Sequence, residues 1–278
     1  MSIGIFTAVL FAAILHAAWN AIVKFGTDKL QGMVLLSIAH ALIGLAMVLA
    51  FPLPDRASLI WLILSVILHL AYKTFLTLAY QKGDLSRVYP ISRGTAPVMV
   101  LIVSLLLLND KFTQWQVAGV ALIGLGILLM ARGVFAHGER RDLLPYALAA
   151  AMGTAGYTLA DGIGARLSMS PSAYIGWIFL LDASMFTVWA LTFKGLKVIP
   201  KEPRVLALGL LAGTASVGAY WIAVWAMTVA PIALVAALRE TSVLVAVLIG
   251  VFFLKEKADK GKIISALVIV LGVILMRF

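Results

Sequence analysis

Apolar stretches of about twenty residues follow one another along almost the whole chain, parted only by short polar breaks. A stretch of that length matches the hydrocarbon thickness of a bilayer. Inside lipid every backbone N–H and C=O needs a partner from the chain itself, which makes such stretches helices. Breaks at Pro52 and Pro54, Gly83-Asp84, Asn109 to Lys111, Gly138 to Asp142, Ser170-Pro171, Pro200 to Pro203, Pro231 and Lys255 to Lys257 divide the chain. They predict ten spans over 3–24, 30–51, 58–80, 86–108, 113–132, 143–165, 171–193, 204–228, 231–254 and 260–277. The first lacks a basic segment ahead of its apolar run and is expected to be retained rather than cleaved.

Composition agrees. Charged residues make up 12% of the chain and hydrophobic ones 63%, against roughly 25% charged in soluble domains. The expected fold is an all-α polytopic membrane protein. No loop is long enough to hold a nucleotide-binding domain, and no Gly-rich loop runs into Lys-Ser or Lys-Thr. Energy is therefore expected from a gradient, the membrane potential or exchange. The chain has no cysteine, which excludes disulfides and thiolate metal sites. His16, His40 and His69 fall singly on three spans and His137 in a loop. No metal site, cofactor or convergent catalytic set is expected, and so no enzyme. A net charge of +10 raises nucleic acid as a partner, but the basic residues sit in short loops beside apolar spans. They fit topology and anionic headgroups instead, with no nucleic-acid partner.

A register shift of 146 residues superimposes the chain on itself without a gap over part of each half. Arg93 falls on Arg239, Thr95 on Thr241, Asp110 on Glu256, Lys111 on Lys257, Gly126 on Gly272 and Met130 on Met276. Residues 1–133 and 143–278 thus read as one five-helix unit used twice. An odd helix number makes the copies cross the membrane in opposite senses, giving two inverted repeats, an outline of secondary transporters. Fifteen Lys/Arg lie in or beside the loops after odd-numbered spans, and four lie in the remaining loops and termini. Positive loops stay inside, so the count puts both termini outside the cytoplasm of a cell membrane protein.

Charges at membrane depth are costly and usually functional. Arg93 lies about 10 Å into span 4 from the basic side, and Arg239 about 12 Å into span 9 from the other. They are expected to face the interior at opposite, symmetry-related depths, as gate or framework charges. Asp161 is a candidate partner for Arg239, with Glu240 in the same layer and Arg166 as another cation for Asp161. No buried acid is evident beside Arg93. Asp182, near mid-depth, is a candidate coupling acid or a contact of His40.

Span 3 carries His69, Tyr72, Lys73 and Tyr80 on one face. That stripe suits a cavity wall, or helix-to-helix hydrogen bonding with Lys73 reaching headgroups. His16 and Asn20 share a face of span 1. Trp19 and Tyr157 occupy matched positions in the two halves. Trp221 and Trp225 share a face of span 8 and fit either a ligand stack or an interface anchor. Pro90 and Pro97 flank Arg93 and free carbonyls in span 4.

Several of these segments, taken in order, resemble the EamA type of the drug/metabolite transporter superfamily. They are His16 to Asn20, Gly83 to Pro90 running on to Arg93 and Pro97, Tyr157 to Gly162, and Ala230 to Ser242. The resemblance covers essentially the whole chain. It implies a secondary carrier for a small organic metabolite, such as an amino acid, with export favoured, working by alternating access as a monomer in the lipid bilayer. It places Trp19, His69, Tyr72, Tyr89, Tyr157 and Trp225 at or near the ligand path; Asn20, a natural cross-helix hydrogen bonder, is a further candidate there. The superfamily is often drawn with cytoplasmic termini, opposite to the charge count. The competing readings are an ion-conducting channel and a structural membrane protein.

Overall fold

The structure is a computed structural model that describes residues 1–25, 29–82, 85–130, 141–254 and 260–278. Within some helices it describes the backbone but not the side chain, Tyr89 among them. Eleven long or medium helices carry the fold among the described residues: α1 (Ile3–Phe25), α2 (Lys29–Ala50), α3 (Leu59–Lys82), α4 (Leu85–Leu107), α5 (Gln114–Met130), α6 (Leu144–Leu167), α7 (Pro171–Lys194), α8 (Pro203–Val229), α9 (Ile232–Arg239), α10 (Ser242–Leu254) and α11 (Lys260–Leu275). Among the described residues, seven segments are long and apolar enough to cross a membrane. The helix α5 is apolar but shorter. The helix α6 has the length, but Gly, Ala, Thr and Asp dilute its apolar character.

Proline stands in the first turn of three of these helices, α6, α7 and α8, at a position whose N–H has no intrahelical acceptor. Gly195 ends α7 in the left-handed region, φ 69°, and donates its N–H to the Leu191 carbonyl at 3.0 Å. The expected span 231–254 is two helices. Glu240 N–H bonds back to Ala237 and Thr241 N–H to Leu238, both at 3.1 Å. These are tight three-residue turns, so the helix ladder breaks just after Arg239. Such a break is tolerated at membrane depth only inside protein or beside a cavity. The helix α9 meets that condition, since all eight of its residues are buried.

The arrangement has an order that the sequence shift explains. Four helix pairs make the main seams, and among them α3 with α6 and α1 with α8 turn into one another when the halves are exchanged. The helix α2 packs along α7, and α5 along α11, each beside its own counterpart. In the α5–α11 seam a Cβ on Gly119 would stand 2.7 Å from the Gly272 oxygen, and one on Gly126 would stand 3.0 Å from the Ser265 oxygen. Early α5 thus meets late α11 and late α5 meets early α11, an antiparallel crossing. A shift of 146 carries Gly126 to Gly272 and Gly119 to Ser265, so one contact maps onto the other. Small residues permit this approach, as expected where lipid offers no hydrophobic drive between helices.

Two further features matter below. On α8, Gly209 and Gly213 stand against Leu35 and Ala39 of α2; a Cβ on either would come within 2.4 Å of a side-chain carbon. Near the chain ends, Arg277 donates from Nη1 to the Met1 carbonyl at 3.0 Å.

Candidate functional site

The centre of the bundle is built by α1, α3, α4, α6, α8 and the break after α9. Pro90 and Pro97 bracket Arg93 within α4. Its side chain is 5% exposed, and Nε lies 2.9 Å from Glu240 Oε2. The contact is a buried ion pair. Nη2 approaches His16 Nε2 at 3.2 Å. On the far side of that ring, Trp19 Nε1 approaches His16 Nδ1 at 3.3 Å. Both neighbours are donors, and a neutral imidazole offers one acceptor nitrogen. His16 can therefore satisfy Arg93 or Trp19, not both at once.

This corrects one expectation. An acid does stand beside Arg93, supplied by the other half. Glu240, adjacent to Arg239, reaches Arg93 between the two layers. The depth counts explain it: about 10 and 12 Å from opposite faces of a core about 30 Å thick leave a gap that side chains close.

Arg239 is 9% exposed. Its guanidinium carbon sits 5.1 Å from the centroid of the Tyr220 ring, a cation–π contact. The Tyr220 hydroxyl donates a short hydrogen bond to Asp161 Oδ2. The expected Asp161–Arg239 ion pair is thus replaced, among the described residues, by a relay through a tyrosine. Arg166 is not the partner of Asp161 either. It lies 3.2 Å from Asp110 and donates to the Met227 and Ala230 carbonyls at 2.8 and 2.9 Å. Asp110 also accepts from Ile232 N–H at 3.3 Å, so the pair fastens the α8–α9 turn.

Aromatic rings wall the site. His69 stacks on Tyr157 with centroids 3.9 Å apart and planes 20° from parallel. Tyr72 meets Tyr157 edge-on at 5.8 Å, and Tyr220 meets His69 at 6.1 Å. His69 Nδ1 lies 3.0 Å from the Ser65 carbonyl and 3.2 Å from the Ser65 hydroxyl on its own helix. The helix α6 presents Gly153 to Tyr72 and Gly156 to Leu68, which lets α3 come close enough for the stack. A small cleft here is lined by Pro97, Val100, Thr154, Tyr157, Thr158, Arg239 and Glu240 among others.

Of the residues singled out in the sequence, Arg93, Arg239, Glu240, Asp161, His69, Tyr72, Tyr157 and Trp19 converge on this centre. Asn20 turns inward on its own helix, donating to the His16 carbonyl at 2.7 Å. The Tyr89 side chain lies outside the described residues. Lys73 and Asp182 form a separate pair at 2.6 and 2.7 Å between α3 and α7. Asp182 is held by Lys73 rather than by His40, whose ring packs on Phe179 at 4.7 Å. Trp225 is 43% exposed on α8, as is Trp221 at 38%, and neither joins the ring contacts of the centre among the described residues. The buried stripe of that helix runs through Gly209, Gly213, Ser216 and Tyr220 at helical spacing, and the tryptophans fall off it. Tyr220 is the site residue the sequence reading underweighted. Its place on the small-residue stripe is the signal that finds it.

The profile of the EamA-like transporter family matches residues 2–132 and again 143–278. The chain belongs to the EamA-like transporter family. It is a multi-pass membrane transporter of the drug/metabolite superfamily. No curated protein matches it. One solved crystal structure aligns with a TM-score of 0.72 at 18% identity, over 99% of this chain and 96% of that one. That likeness is one of fold. The family's double match leaves the site's chemistry to be read from the residues above.

Proposed function

We propose that the chain is a secondary carrier for a small organic metabolite, working by alternating access around the site between its halves. The observation that carries this reading is the Arg93–Glu240 pair. It joins α4 of one half to the helix break of the other, buried, within a charged and aromatic cluster beside a pocket. A purely structural bundle gains nothing from burying four formal charges there.

The two halves, 1–133 and 143–278, act as inverted repeats of five spans each. The antiparallel α5–α11 seam and its self-mapping contacts support that reading. Alternating access then exchanges the roles of matching interfaces across the pseudo-twofold axis. One chain holds both halves, so a monomer suffices. The solute is a metabolite such as an amino acid, exported across the cell membrane, with both termini outside the cytoplasm as the loop charges direct.

Purified protein in liposomes tests this. Saturable, competable exchange of labelled amino acids, lost in Arg93→Ala and in Arg239→Ala with membrane insertion retained, is expected. Large single-channel currents, or wild-type exchange in both variants, would refute it. Tyr72→Ala is expected to weaken solute affinity more than expression.

A further inference from the structure

Four formal charges meet at the centre among the described residues: Arg93, Arg239, Glu240 and Asp161. Arg93 and Glu240 neutralise one another at 2.9 Å. Arg239 has no carboxylate in ion-pair contact among the described residues. Its countercharge is Asp161 at one remove, through the ring and hydroxyl of Tyr220. Asp161 is fully buried, and its Oδ1 takes no hydrogen bond among the described residues.

We propose that Asp161 is a proton-binding site that frees Arg239 for a carboxylate-bearing solute, so that a proton and a monoanion occupy the bundle together. The transport consequence rests on the carrier reading above; the binding itself does not.

The groups facing Asp161 are few. From α3 come Ser65 and His69, from α7 the Tyr174 hydroxyl, from α8 Tyr220, and from α9 Arg239. His69 Nδ1 turns to Ser65 on its own helix, near both the carbonyl and the hydroxyl. Oδ1 takes no hydrogen bond among the described residues and is the position for a proton. With that proton bound, Asp161 is neutral and the centre carries one net positive charge, on Arg239. An uncompensated charge at this depth is costly. A monoanion in the adjoining pocket removes the cost, and a neutral solute does not. The guanidinium fork of Arg239 matches a carboxylate. Tyr157, backed by His69 and Tyr72, supplies a flat wall for the body of the solute. Thr154 and Thr158 line the same pocket with hydroxyls. Proton and anion affinities are then linked, each raising the other by the same factor.

Benzoate serves as the probe and benzamide as its uncharged match, with full-length protein in detergent. Calorimetry is expected to show benzoate binding at acid pH, weakened about tenfold or more at alkaline pH. Weakly buffered protein is expected to take up about one proton per benzoate bound. Asp161→Asn, which mimics the protonated acid, is expected to bind benzoate at both pH values without proton uptake. Tyr220→Phe keeps the acid but removes a hydrogen bond that favours the carboxylate. Its benzoate binding should persist to higher pH than wild type. The proposal is overturned by equal binding of benzamide, by no binding of benzoate, or by proton uptake that survives Asp161→Asn. Should Asp161→Asn fail to fold, an unchanged pH range in Tyr220→Phe overturns it alone. Solute exchange in liposomes without linked protons refutes this inference and spares the carrier. Linked proton and benzoate binding without exchange does the reverse.

Discussion

Two interfaces that symmetry should make alike are built differently. Where α2 meets α8, Gly209 and Gly213 put backbone against Leu35 and Ala39 with no room for one carbon more. Where α3 meets α7, the contact is local, and a part-exposed ion pair of Lys73 with Asp182 spans the gap. In the inverted-repeat reading, exchanging the halves turns α2 into α7 and α8 into α3, so these are matched interfaces. Contacts made by backbone have one spacing. Contacts made by a long lysine tolerate several. In the carrier reading, α2–α8 is the side now shut and α3–α7 the side poised to move.

The comparison can be broken at its pivot. Arg93→Ala leaves Glu240 buried without its partner between both interfaces. The expected loss is about 3–5 kcal/mol, read as a fall in melting temperature in detergent. Replacing Glu240 as well should recover part of that loss, since the stranded charge is then gone. Next in size is Gly213→Leu, which forces α8 from α2. Overpacking of this kind costs about 1–3 kcal/mol. Leu at the exposed neighbour Thr214 should melt like wild type, and equal melting of the two variants would mean the α2–α8 seam is not tight. The smallest stability change belongs to Lys73→Ala, at most about 1 kcal/mol for a pair 42% and 25% exposed. Its effect should appear instead in transport. The chain has no native cysteine, so Cys at 73 and 182 joined by a short bifunctional thiol reagent reports on this gap alone. Cross-linking should stop exchange without moving the melting temperature. Full exchange by the cross-linked protein would show that α3 and α7 do not part. Trp225→Ala, on the outer face, should leave solute affinity at wild-type level.

Helix positions and the doubling were legible because they rest on period and register, which a linear sequence carries directly. The break after Arg239 was less so. Residues 231–254 are apolar apart from the run Arg239 to Ser242, and only the tight turns at Glu240 and Thr241 reveal two helices. Site membership divided along a physical line. Arg93, Arg239, Asp161 and Glu240 announced themselves, since a charge at such depth needs an inward reason. Their pairing did not, because it depends on gaps of a few ångströms that residue counting cannot resolve. Lys73 and Asp182 were read apart for the same reason. The aromatic residues were the weakest signal. Tyr220 and Trp221 are neighbours in sequence, yet one holds Asp161 while the other reaches only Ser172, at 3.2 Å on the outer face. A turn of about 100° per residue separates the two roles, and the glycines of α8, not the aromatics themselves, say which way is in.

The Arg277–Met1 hydrogen bond closes the molecule into a ring. A ring of two equivalent arcs has no natural first half. A chain reopened between 133 and 143, with residues 278 and 1 joined by a short linker, would trace the same path in permuted order. Which half the ribosome makes first would then bear on the route into the membrane and not on the architecture reached.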